Sequence, residues 1–345
     1  MEDIYRIMEA LQQKSGRCAL ATITRVEGSS YRKEGASMLF FEDGTQTGVL
    51  STGCLEGDIA ARLPDVLAAG KPHSYIYDLD AADPLSWGEG PGCGGKIQVT
   101  VIPVDGVFRA HLLTVKAYLD KQIEVTLIRS FSPDAEYSFV TRDRHRFGEW
   151  KGEFPEAALD WAATGGPRKS GMQTVPEMTG ELFVHTYIPK PRLTIFGAGP
   201  DARPLAAFAA AAGFSVIVTD WRPGLCERSF FPDAQELLHG FPEETAAGVP
   251  WTPNDYVVVM SHHFGRDREL VRLLSGQDLA YVGVLGSKRR NRRLLEGGPV
   301  PANLHAPVGL AIGADGPEEI AFSIVAELIQ VYRTNRKRSL SHEAT

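Results

Sequence analysis

The sequence predicts an α/β protein: a small N-terminal α/β domain followed by a C-terminal, doubly wound parallel sheet. Three observations carry that prediction. The apolar run Leu193–Phe196 leads into Gly197-Ala198-Gly199-Pro200-Asp201-Ala202, an alanine-rich helical stretch follows, and a second apolar run ends in Asp220. Strand, glycine turn, helix, strand and terminal acid within one βαβ unit make a Rossmann-like half. Gly197 permits the tight turn, Gly199 lets backbone amides approach an anion, and the helix N-terminus adds partial positive charge. Asp220 falls where such folds place the acid that receives a ribose hydroxyl. Residues 190–335 are therefore expected to bind something nucleotide-like or pterin-like, or to descend from a domain that did.

The remaining elements read in order. Ile4, Ile7, Met8 and Leu11 have helical spacing over residues 2–15, and the helix stops at Gly16. Residues 18–24 form a buried strand, residues 28–33 a polar turn, and residues 37–41 and 47–50 a hairpin around Asp43-Gly44. Residues 59–69 continue as a helix and residues 74–78 as a strand; a glycine-rich segment, 87–95, precedes the strand 96–103. The N-terminal domain closes at residue 105. Residues 106–189 read as an αβ connecting region, with a helix over 110–120, strands over 124–128 and 181–188, and a loop over 165–171 whose composition marks it as mobile. Pro189-Lys190-Pro191 marks the boundary to the Rossmann-like domain, and residues 336–345 are a frayed, solvated tail.

Composition limits the function. A chain of 345 residues, 43% hydrophobic and 23% charged, suits two soluble globular domains. A net charge of −7 argues against a general nucleic-acid binder. Met1-Glu2-Asp3-Ile4 lacks a signal-peptide pattern, and no apolar run is long enough to span a membrane. Cys18, Cys54, Cys93 and Cys226 form no CxxC pair, so neither a zinc knuckle nor a secreted disulfide framework is expected. The expectation is a cytoplasmic protein.

Candidate site residues fall in both halves. The apolar strand 255–260 ends in Ser261-His262-His263, and the strand 280–285 ends in Gly286-Ser287-Lys288-Arg289-Arg290. Open α/β sheets bind ligands at the carboxyl ends of their strands, so these tips converge near Gly197. Lys288, Arg289 and Arg290 are candidates for holding a phosphate, with Gly286-Ser287 supplying amides; the alternative is a solvated first helical turn. His262 and His263 are either ligand or proton-transfer groups or satisfied strand-end histidines. Trp221-Arg222 after Asp220 leaves a 2′-phosphate open.

In the N-terminal half, Cys54 sits between Gly53 and the start of a helix, where the dipole favours a thiolate. Glu56 and Asp58 nearby would raise its pKa, and a small buried residue in a tight turn is the alternative. Cys93 lies among glycines whose loop exposes amides, a setting in which a soft thiolate suits molybdenum, copper or sulfur chemistry. Arg32 and Lys33 are cationic partners for an anionic ligand or ordinary surface charge.

Several of these strings resemble the XdhC/CoxI family: Gly28-Ser-Ser-Tyr-Arg-Lys-Glu-Gly-Ala36, Gly53-Cys-Leu-Glu-Gly57, Gly92-Cys-Gly-Gly95, Phe196-Gly-Ala-Gly-Pro200, Tyr281-Val-Gly-Val-Leu-Gly-Ser-Lys-Arg289, and residues 306–321. The resemblance covers both domains and leaves the connecting region unmatched. It implies an accessory protein for molybdenum hydroxylases such as xanthine dehydrogenase. Such a protein binds the molybdenum cofactor (molybdopterin), favours its sulfuration with a cysteine desulfurase, and hands it to the apo-enzyme. It further implies a homodimer, Cys54 as the leading thiolate contact to molybdenum with Cys93 second, and the pterin phosphate or a nucleotide at Gly197 and Gly199. The sequence departs from the family where relatives carry His in place of Pro200 and a Thr-His-Asp-His-like string in place of residues 261–264; Pro200 removes a donor from the phosphate-binding turn. No hydrolytic triad or HExxH is present, so a cofactor chaperone fits better than a catalyst. The alternatives are an NAD(P)- or flavin-dependent oxidoreductase, with His263 or Lys288 as proton donor, and a nucleotide-sensing interaction protein.

Overall fold

A computed structural model describes residues 4–51, 53–78, 95–131, 136–164, 169–175, 180–296 and 298–342, with side chains through residue 335 and without that of Cys54. The chain divides into two compact units, Glu2–Pro189 and Lys190–Thr345.

The first unit contains two antiparallel sheets. Its first part runs α1 (Ile4–Gln13), β1 (Cys18–Gly28), β2 (Ser37–Phe41), β3 (Gln46–Gly48), α2 (Cys54–Ala69), β4 (His73–Asp78) and β5 (Gly95–Pro103). These strands pair in the order β3-β2-β1-β5-β4. The second part runs α3 (Gly106–Asp120), β6 (Val125–Ser130), β7 (Tyr137–Thr141), β8 (Arg146–Glu149), α4 (Glu156–Ala163), β9 (Gly171–Thr174) and β10 (Glu181–Tyr187). Its sheet order is β8-β7-β6-β10-β9. One core joins the two sheets through α1 and α3, gathering Ile7, Leu20, Phe41, Phe108, Leu112, Phe139 and Phe183. The outer face of the first sheet packs on α2 through Ile23, Phe40, Ile59 and Leu63. The outer face of the second packs on α4 through Ile128, Val140 and Ala158. Helices on both faces explain why the first seven residues of β1 are all buried rather than alternating.

The connecting region therefore carries a sheet of its own, and β7, β8 and β9 were not legible in the sequence. Strands β8 and β9 are four residues each, largely half-exposed edges, and β7 interrupts its apolar residues with Ser138 and Thr141.

The second unit runs β11 (Arg192–Phe196), α5 (Ala202–Ala211), β12 (Ser215–Asp220), β13 (Glu236–His239), α6 (Pro242–Gly248), β14 (Asp255–Val259), α7 (Phe264–Leu274), β15 (Tyr281–Val284), α8 (Lys288–Leu295), β16 (Leu304–His305) and α9 (Gly316–His342). Its six parallel strands lie in the order β13-β12-β11-β14-β15-β16. Counted from β11, that is the 3-2-1-4-5-6 order of dinucleotide-binding sheets. One face packs on α5 and α9, where the alanines of α5 allow close approach and Phe208 stacks on Phe322 at 4.2 Å. The other face packs on α7 through Val257, Val259, Leu270 and Leu274. The expected tail over 336–345 instead continues the backbone of α9 to His342. Strands β13 and β16 are short and partly exposed, so their residues carry little apolar periodicity.

Candidate functional site

Strand order reverses between β11 and β14, which opens a crevice at their carboxyl ends. Gly197 turns there at φ 120°, and a Cβ would lie 2.6 Å from the Met260 carbonyl oxygen, so only glycine fits. Its N–H donates to Thr219 O at 2.9 Å. The next amide, Ala198, donates to Asp220 Oδ2 at 2.8 Å. Asp220 is fully buried, and its carboxylate also accepts from the Arg222 amide and Nε at 2.9 Å and from its terminal nitrogen at 2.8 Å. Burial opposes ionisation, but the Arg222 and Ala198 hydrogen bonds prevail and hold the carboxyl below the usual range. The acid expected to receive a ribose hydroxyl is thus engaged in fastening β12 to the glycine turn.

Asp201 stands differently. Its Oδ2 lies 2.6 Å from His262 Nε2, and its Oδ1 is buried with no hydrogen-bond partner among the described residues. That oxygen sits 2.8 Å from where a Gly199 Cβ would be. His262 adopts φ 63°, a left-handed conformation uncommon outside glycine, and its side chain is 64% exposed. His263 caps α7, its ring accepting from the Arg266 amide at 3.3 Å.

Behind them, buried Ser261 donates to Asp267, whose other oxygen accepts from Arg290 at 2.6 Å. Arg290, expected with its two neighbours to hold a phosphate, is instead paired with Asp267. Ser287 caps α8 by accepting from the Arg290 amide. Lys288 and Arg289 are exposed and make no ion pair among the described residues. At the cleft edge, Trp221 carries Arg222 at 4.7 Å and Arg266 at 4.8 Å, with His263 edge-on at 5.9 Å. Arg266 also lies 4.2 Å from the Phe241 ring. The closed part of the crevice is lined by Gly197, Asp220, Trp221, Gly240, Ser261 and Asp267 among others and holds only about 10 Å³, room for about one water molecule.

In the first unit, α2 begins at Cys54 with Gly53 as its N-cap. Both neighbouring acids are engaged. Glu56 accepts from the Leu50 and Ser51 amides at 3.0 and 2.6 Å, and Asp58 accepts from Arg62 and Tyr77, each at 2.7 Å. The Arg62 hydrogen bond, with that of Tyr77, holds the Asp58 carboxyl below its usual range. Cys93 lies outside the described residues. Of the Arg32-Lys33 pair, Arg32 is half-buried and Lys33 exposed. Glu34 in the same motif accepts from the Val26 amide at 3.1 Å. Gly35, at φ 90°, packs where a Cβ would overlap the His185 ring, and His185 pairs with Ser170 at 2.6 Å.

Sequence reasoning passes over His185, Ser170, Arg266 and the open carboxylate of Asp201. Only Asp201, inside the glycine turn, carries a local signal; the others are brought in by folding. Among the described residues, no three His, Cys, Asp or Glu side chains are placed to hold a metal ion, and no helix is long and apolar enough to cross a membrane.

Fold and site together define a two-unit α/β protein whose C-terminal unit is a Rossmann-type domain. Comparisons make the class specific. Family profiles described as the XdhC and CoxI family, the BH1974-like central domain and the XdhC Rossmann domain match residues 11–78, 106–188 and 193–328. The chain is 42% identical over 332 residues to a probable xanthine dehydrogenase subunit of Bacillus subtilis (strain 168), covering 96% of this chain and 98% of that one. It is 24% identical to "Molybdenum cofactor insertion chaperone PaoD" of Escherichia coli (strain K12), covering 94% and 86% of the two chains. The crystal structure of a xanthine dehydrogenase (BH1974) from Bacillus halodurans is 45% identical, with a TM-score of 0.83 over 97% of this chain and 96% of that one. The chain belongs to the XdhC and CoxI family.

Proposed function

We propose that this protein binds molybdenum cofactor, supports its sulfuration with a cysteine desulfurase, and inserts it into a molybdenum hydroxylase such as a xanthine dehydrogenase. One observation carries the reading. The match to a relative named for xanthine dehydrogenase covers 96% of the chain and so reaches both units, and a relative named as an insertion chaperone matches 94% of it.

The chemistry of the site agrees. The cofactor is anionic and sulfur-ligated, and a thiolate at the α2 N-terminus would contact molybdenum or its sulfur. Cys54 holds that place, with Asp58 neutralised by Arg62; Cys93 is the second candidate. The open carboxyl end of the parallel sheet beside Gly197 would meet one end of the cofactor. The engaged carboxylate of Asp220 and the missing N–H of Pro200 both weigh against a dinucleotide in the usual Rossmann pose. Residence in the cytoplasm and a homodimer belong to the same reading, and a monomeric mass by light scattering at micromolar concentration would remove the dimer.

Reconstitution tests it. Apo-hydroxylase mixed with cofactor should regain activity several-fold faster when this protein carries the cofactor. Equal activation by free and carried cofactor would defeat the reading.

A further inference from the structure

We infer that the carboxyl end of the C-terminal unit's sheet holds its ligand in reverse of the usual Rossmann polarity, with the N–H edge of a heterocycle at Asp201 and a phosphate at Arg266 beside Trp221. The inference rests on the proposed cofactor-binding role and deepens it, because a pterin on a phosphorylated arm has both features.

At the glycine turn, the groups that normally receive phosphate are compromised. Pro200 offers no N–H, and the Asp201 carboxylate lies against Gly199, where a second anion would be repelled. One oxygen of that carboxylate is tied to His262, which takes a left-handed backbone to reach it. The other is buried without a partner among the described residues. A buried, unmatched acceptor calls for donors. The side chain is 19% exposed, and carboxylate rotation is soft, so turning it presents both oxygens to an arriving ligand. A carboxylate accepts from two adjacent N–H groups at once. The aminopyrimidinone edge of a pterin offers that pair.

Positive charge gathers at Trp221, which carries both Arg222 and Arg266. Arg222 is balanced by Asp220. Arg266, between the Trp221 and Phe241 rings, has no carboxylate partner among the described residues. An arginine held by aromatic rings keeps its donors free for a phosphate.

The experiment titrates the full-length protein, and the variants Asp201→Asn and Arg266→Gln, with pterin, a pterin bearing a phosphorylated side chain, and inorganic pyrophosphate, following pterin fluorescence and heat. Thermal melts confirm that both variants fold. Asp201→Asn should weaken both pterins about 10- to 100-fold and leave pyrophosphate unweakened. Arg266→Gln should weaken phosphorylated pterin and pyrophosphate about tenfold and spare pterin itself. Guanosine 5′-phosphate carries the same donor edge; if it binds more tightly and responds to both variants, the assignment stands with a purine nucleotide as its source. The assignment is overturned if pterin affinity ignores Asp201, if pyrophosphate binds more tightly to Asp201→Asn and ignores Arg266, or if wild type binds no pterin at millimolar concentration. Whole cofactor titrated in parallel separates the two claims. Cofactor bound by wild type alongside those overturning results leaves the proposed function standing; cofactor unbound removes that function, while the pterin arms still decide the subsite.

Discussion

Replacing Asp220 with Asn tests whether this acid fastens the glycine turn or serves a ligand. The carboxylate accepts four hydrogen bonds, one from the Ala198 amide and three from Arg222. An amide keeps one acceptor oxygen, loses the charge, and turns an NH₂ toward one of those donors. Hydrogen bonds to a charged group contribute about 1.5–3 kcal/mol each, and a buried unsatisfied amide costs about 1–3 kcal/mol. The Arg222 side chain is 43% exposed, so water recovers much of what its ion pair loses. The sum comes to about 2 kcal/mol, carried mainly by the Ala198 side. For a unit of this size that lowers Tm by roughly 4–8 °C. Thermal melts of the ligand-free protein should show it, and hydrogen exchange should speed at Ala198. Because its folded pKa is depressed, Asp220 stabilises the protein above the unfolded pKa of about 3.9, and that contribution disappears as pH falls through the lower folded value. The variant should therefore lose most stability near neutrality and little in acid. A variant with unchanged Tm and exchange but abolished ligand binding would refute the turn-fastening role.

Other substitutions follow from the same contacts. Gly197→Ala places a methyl group against the Met260 carbonyl at positive φ and should cost several kcal/mol, read as a large Tm loss or insoluble protein. Gly35→Ala should destabilise the first unit, and adding His185→Ala should recover part of the loss by clearing the overlapping ring; no recovery in the double variant would assign the cost to backbone strain alone. Glu327 accepts from His305, Tyr281 and the Gly309 amide, and although burial opposes ionisation these bonds hold its pKa down. Its contribution is present above the unfolded pKa of about 4.3 and fades as pH falls through the lower folded value. Glu327→Gln should accordingly flatten the acid limb of a Tm-against-pH curve and cost about 1–3 kcal/mol at neutral pH.

The Rossmann half was legible because its information is local. A glycine turn between two apolar runs, with an acid ending the second, specifies strand, helix and crevice within a short stretch. The XdhC/CoxI strings likewise survive in linear order. What the sequence concealed depends on distance along the chain. His185 and Ser170 meet Gly35 only after a second sheet forms, and that sheet is built from strands too short or too polar to show a clear period. Asp220 and Asp201 are both acids beside one turn, and no spacing rule tells the engaged carboxylate from the open one. Hydrogen-bond partners make that distinction. One of its donors, Arg222, is two residues from Asp220, yet in the sequence Arg222 only leaves a 2′-phosphate open.

Anaerobic titration with molybdenum cofactor, comparing wild type with Cys54→Ala, tests the central claim most directly. Stoichiometric binding at micromolar affinity or tighter, lost in Cys54→Ala while the variant remains folded, is the predicted result. No binding of cofactor by wild type, with NAD(P) bound in its place, would contradict it.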